Sequence, residues 1–91
     1  MRPETPNDPH ALGLAALAAT VTDERRARRF LTLTGIGTDA LRERANDPIL
    51  LAELIRFLEG YEPDLIAVSE QIGVKPAVLT EARFQLERGS P

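Results

Sequence analysis

The chain has 91 residues, no Cys, one His, 43% hydrophobic but only 4% aromatic residues, and a formal net charge of -3. That length suits one domain, and the missing Cys excludes disulfides, thiol catalysis and the usual structural zinc sets, while a lone His10 excludes a His-rich metal site. The acidic balance argues against non-specific affinity for nucleic acid, which comes from neutralising phosphates, and packing that must rely on Leu and Ala favours helix over sheet. The charge is uneven: residues 1–45 carry seven basic and six acidic groups, residues 46–91 four and eight.

The opening "MRPETPND" is Pro-rich and polar and predicts a loose arm over residues 1–8. Asp8 can cap a helix that starts at Pro9, where a missing N–H costs nothing. Leu14, Leu17, Ala18 and Val21 fall at i, i+3, i+4 and i+7 and predict its buried stripe. The apolar run Ala11–Ala19 resembles the core of a secretory signal, but Arg2 is opposed by Glu4 and Asp8, and three prolines precede it, so it reads as a helix of a cytoplasmic protein. No apolar run approaches the roughly 20 residues that span a bilayer.

Thr22 is expected to cap a second helix, with Asp23 and Glu24 in its first turn and Ala27, Phe30, Leu31 and Thr34 inward. Arg25, Arg26, Arg28 and Arg29 are expected outside that stripe. Gly35 stops the helix as a left-handed residue, and Thr38 is expected to cap a short helix through Leu41 to Ala45. Asp47 and Pro48 open "ILLAELIRFLEG", where the charged residues Glu53, Arg56 and Glu59 make one narrow polar stripe, so this is predicted to be the central helix. Pro63 begins the next helix, with Leu65, Val68, Ser69 and Ile72 inward, up to Gly73. Pro76 begins the last, with Leu79, Ala82 and Leu86 inward, closing near Gly89. No segment alternates with a two-residue period, so no strands are expected.

The series "RRFLTLTGIGTDALRERANDPILLAELIRFLEGYEPDLIAVSEQIGVKPAVLTEARFQL" resembles a family of short, all-helical bacterial proteins, mainly proteobacterial, designated a domain of unknown function. The resemblance rests on Phe30-Leu31, Thr34-Gly35, Leu41-Arg42, Asp47-Pro48, Phe57-Leu58 and the Gly73, Pro76, Ala82, Leu86 series. It extends from Ala11 to Leu86. It implies an all-α fold and brings no activity, cofactor or catalytic residue.

Four stretches could carry chemistry. Ser69, Gly73, Val74, Leu79 and Ala82 have helix-turn-helix spacing, but the outward face of the last helix is then Ala77, Thr80, Glu81, Phe84, Gln85 and Arg88, with a carboxylate and a ring where phosphate contacts belong. "ERRARR" is the only basic concentration and reads as a solvated helix face, with RNA or another polyanion the alternative. "TGIGTD" lacks the Lys and preceding strand of a phosphate loop. "EGYEPD" places Glu59, Glu62 and Asp64 near one junction without the spacing of a known cation loop. No nucleophile is paired with a base, so a non-enzymatic protein without cofactor or metal is expected.

Phe84 is the informative residue, because at ~100° per residue it projects opposite the inward stripe of Leu79, Ala82 and Leu86. Such a ring is either covered by the first helix or the amino-terminal arm, or it anchors a partner, a second copy being the simplest. The sequence therefore predicts an all-α bundle of about six short helices over residues 9–88, with a helix-turn-helix-like final pair and a tail at 89–91. The expected function is a protein-protein interaction module using Phe84, Thr80, Glu81 and Arg88. The alternative is a nucleic-acid binder using Thr80, Glu81, Gln85 and Arg88 with support from the arginine helix.

Overall fold

A computed structural model of the chain describes residues 8–88 and contains six helices: α1 (Pro9–Val21), α2 (Glu24–Thr34), α3 (Thr38–Glu43), α4 (Pro48–Glu59), α5 (Glu62–Ile72) and α6 (Pro76–Glu87). The arm expected over residues 1–8, Asp8 apart, and the tail expected over 89–91 lie outside the described residues.

The helix ends follow from cap chemistry, with two corrections. Asp8 accepts a hydrogen bond from the His10 N–H at 3.1 Å, and Asp47 accepts one from the Ile49 N–H at 2.9 Å, each ahead of a Pro in the first turn. Thr22 does not cap α2. Its hydroxyl donates back to the Ala19 carbonyl at 2.7 Å and its backbone stays helical, so the cap moves to Asp23, which accepts from the Arg26 N–H at 3.1 Å. Thr38 is likewise the first residue of α3 and not its cap; Gly37 holds that position without a side chain, and α3 ends at Glu43, before Ala45. Gly35 and Gly73 sit at φ 74° and 80°, in the left-handed region open to glycine, and turn the chain after α2 and α5.

α4 is the central helix, as its narrow polar stripe predicts. Seven of its twelve residues are buried, and Leu50, Leu51, Leu54, Ile55 and Leu58 are fully so. Each such side chain contributes roughly 1.5–3 kcal/mol of transfer free energy before conformational entropy is set against it. α4 packs chiefly on α6, then on α1 and α5, while Phe30 of α2 meets Phe57 edge to face at 5.3 Å.

The buried side of α1 is not the expected one. Leu12, Gly13, Ala16, Leu17, Ala19 and Thr20 are buried, whereas Ala18 and Val21 of the predicted stripe are exposed. The physical reason is that "ALGLAALAA" has no polar residue to mark an outside, so packing decides: the face carrying Gly13 turns inward because it lets α1 approach Leu51 of α4 closely, and Ala11 and Ala18 are left exposed. At Gly13 a Cβ would lie only 3.0 Å from Leu51 Cβ. Thr20 is buried with its hydroxyl satisfied, donating to the Ala16 carbonyl at 2.8 Å. α1 also packs on α6 and α5, so the final pair is held by α1 and α4 more than by its own contact. The described residues form an all-α bundle of six short helices.

Candidate interaction surface

α6 turns Leu79, Ala82 and Leu86 into the core, as its spacing predicts. Its flank toward α4 is a polar clamp. Thr80 Oγ1 donates to Glu59 Oε2 at 2.6 Å, Arg83 donates to Glu59 and, at 3.1 Å, to Glu87, and Arg56 donates to Glu87 at 2.9 Å. Burial works to lower the Arg83 pKa, but its hydrogen bonds to the two carboxylates outweigh it and hold the group above its ordinary value. Desolvation likewise pushes Glu87 up, and the hydrogen bond from Arg83 with the charge of Arg56 outweighs it, leaving that carboxyl below its ordinary value.

This clamp corrects the expectation for Thr80. Placed on the outward face by helical spacing, it is half-buried against α4 because Glu59 at the end of α4 offers its hydroxyl an acceptor. The outward stripe is therefore Ala77, Glu81, Phe84 and Arg88, all exposed. Phe84 is 46% exposed, and the Arg83 guanidinium lies over its ring, 4.5 Å from the centroid. Glu59 and Glu87 hold Arg83, whose guanidinium covers part of the ring by a cation–π contact. Glu81 accepts from the Gln85 amide at 3.2 Å, and neither Glu81 nor Arg88 forms an ion pair among the described residues.

α1 does not cover Phe84. It lies beside the stripe, where Leu12 closes one side of a groove of about 430 Å³ bordered on α6 by Ala77, Val78, Glu81, Ala82 and Gln85. The arm, the other expected cover, lies outside the described residues.

The turn between α5 and α6 has the helix-turn-helix features read from the sequence. Gly73 is left-handed, the Val74 N–H bonds the Ser69 carbonyl at 2.9 Å, and Ser69 is fully buried. The arginine helix is less uniform than expected. Arg26 is buried and pairs with Asp23 at 3.4 Å, and Arg29 donates to Asp64 at 2.7 Å while lying over the Tyr61 ring at 4.8 Å. Both are expected outside; Arg26 instead folds back on the Asp23 cap of its own helix, and Arg29 reaches Asp64 of α5 with its side chain still 40% exposed. Arg25 and Arg28 remain exposed.

The acids of "EGYEPD" diverge. Glu59 faces α6, Asp64 is buried beside Arg29, and Glu62 is exposed. Among the described residues no group of three or more His, Cys, Asp or Glu is gathered as a metal ion would require. His10 Nε2 lies 3.3 Å from Asn46 Oδ1 at the surface.

Sequence reasoning missed a second apolar surface. Leu33 is 72% exposed, and with Phe57, Arg28 and Arg29 it borders a shallow groove between α2 and α4. Its signal was present: Leu33 stands well off the stripe set by Ala27, Phe30, Leu31 and Thr34.

No curated protein and no solved structure matches the chain. Residues 6–89 match the family described as "Protein of unknown function (DUF3572)", in keeping with the unknown-function family that the residue series resembles. With that match covering nearly the whole sequence, the chain belongs to the DUF3572 family.

Proposed function

We propose that the protein is a non-enzymatic, cytoplasmic protein-binding module whose contact surface is the outward stripe of α6. The observation that supports this most is Phe84: an aromatic ring half open to water, on a helix whose opposite side is fully committed to the core, and flanked by an arginine that two carboxylates hold. Exposed aromatics concentrate binding energy because little side-chain freedom is lost on contact. The stripe needs no cofactor. Among the described residues no helix is long and apolar enough to cross a membrane, and the reading requires none.

The nucleic-acid alternative has the helix-turn-helix turn in its favour, but the stripe it would use offers Glu81 and Phe84 beside a single Arg88. Phosphate neutralisation by that stripe would be slight. The test compares immobilised wild-type protein with Phe84→Glu in native lysate. A specific protein retained at high salt by the wild type and lost by the variant is expected. Tight duplex DNA retention that falls steeply with salt, without any such protein, would overturn the reading.

A further inference from the structure

We infer that α6 binds α6 of a second copy, the two helices running antiparallel about an axis beside Phe84. This rests on the interaction-module reading and names its partner. The argument starts from spacing. Ala77, Glu81, Phe84 and Arg88 recur at intervals of four, three and four and form one exposed seam along the helix. Glu81 and Arg88 stand seven residues apart, about 10.5 Å along the axis at 1.5 Å per residue. Phe84 lies within one residue of their midpoint.

A twofold axis at that midpoint sets Glu81 of each copy against the second copy's Arg88, so one seam yields two equivalent charge pairs with both rings at the centre. The two groups are available, since neither forms an ion pair among the described residues. The second copy's ring then meets Gln85 and Glu81, whose side chains border the groove between α1 and α6. A parallel pairing would instead set Glu81 against Glu81 and Arg88 against Arg88, and like charges are destabilising. Thus the order of charges around Phe84 selects both the partner and its direction.

The seam is short. Twelve residues of helix span roughly 18 Å, and one such face buries roughly half of the ~800 Å² per partner of a standard interface. At that size the dimer belongs with weak, transient contacts, for which a Kd on the order of 10 µM or above is expected.

Sedimentation equilibrium of the full chain, from about 5 µM to about 1 mM, covers that range. Wild type is expected to move toward twice the monomer mass as concentration rises. Glu81→Arg and Arg88→Glu each place two like-charge pairs at the seam and should weaken self-association roughly tenfold. Mixed in equal amounts, they restore both pairs and should form a heterodimer at wild-type strength. Phe84→Glu should remain monomeric with unchanged far-UV circular dichroism. The inference is overturned if wild type stays monomeric throughout, if each single swap associates as wild type does, or if the mixture gains nothing over its components. A monomeric wild type that still retains a lysate protein through Phe84 overturns self-pairing alone and leaves the module reading in place.

Discussion

Two glycine-to-alanine substitutions separate the effect of helix propensity from that of close packing. At Gly13 the added Cβ would stand 3.0 Å from Leu51 Cβ, 3.2 Å from its Cδ1 and 3.4 Å from its Cγ. Leu51 is fully buried, and its Cβ is fixed to the backbone, so rotation cannot relieve the overlap and α1 must shift off α4 by a few tenths of an ångström. Overpacking of this kind costs about 1–3 kcal/mol, and the gain in helix propensity returns about 0.8–1 kcal/mol. Gly13→Ala is thus expected to destabilise the fold by about 1 kcal/mol, lowering Tm by about 4–8 °C in a chain of this size. Gly60 is the control. Its φ of -74° suits any residue, and an added Cβ would meet nothing closer than the Phe57 carbonyl at 3.5 Å. Gly60→Ala should therefore stabilise by about 0.4–1 kcal/mol through the unfolded chain. Thermal unfolding followed by circular dichroism reads both. If Gly13→Ala raises Tm as far as Gly60→Ala does, α1 is not seated against Leu51 and the packing argument fails.

Three further outcomes follow from the same structure. Gly73→Ala forces a Cβ into the left-handed turn before α6 and should cost about 1–2 kcal/mol in urea titration; an unchanged midpoint would show that the turn is not left-handed. Asp64→Ala leaves Arg29 without the buried carboxylate it bonds at 2.7 Å, and because Arg29 still reaches water the loss should be about 1–3 kcal/mol, with a value under about 0.5 kcal/mol counting against the pair. Acid should weaken the fold through Asp23, lowered chiefly by the Arg26 backbone N–H, and through Glu87, lowered by Arg83 and Arg56 against desolvation. Depressed carboxyl groups stabilise fully above their ordinary values of 3.8 and 4.5 and lose that contribution as pH falls through the folded values. The urea midpoint should thus drop below about pH 4.5, and Glu87→Gln should flatten that limb; a variant with the full wild-type slope would remove Glu87 from the account.

The legible parts of the chain were those where polar residues marked a boundary or an outside. Asp8-Pro9, Asp47-Pro48 and the two left-handed glycines placed helix ends, and the charged stripe of α4 marked it as central. Phe84 could be read as outward because Leu79, Ala82 and Leu86 left a single inward direction for α6. α1 failed for the opposite reason, since a run of Ala, Leu and Gly is apolar all round. Thr22 and Thr38 were misread as caps because a hydroxyl beside a helix can bond either the turn behind it or the turn ahead. Thr80 and Arg29 differ from their expected places because the carboxylates they bond, Glu59 and Asp64, come from other helices.

What the sequence determined by itself is the set of helices, most of their ends, and the inward faces of α4, α5 and α6, because these depend on neighbours three or four residues away. Tertiary structure decided which side of α1 is buried, which arginines are withdrawn from the surface, and that Thr80 and Arg83 brace α6 against Glu59 while Phe84 stays open. Those outcomes depend on shape and, for Arg29, Thr80 and Arg83, on partners twenty or more residues distant, and periodicity along one helix holds no information about either.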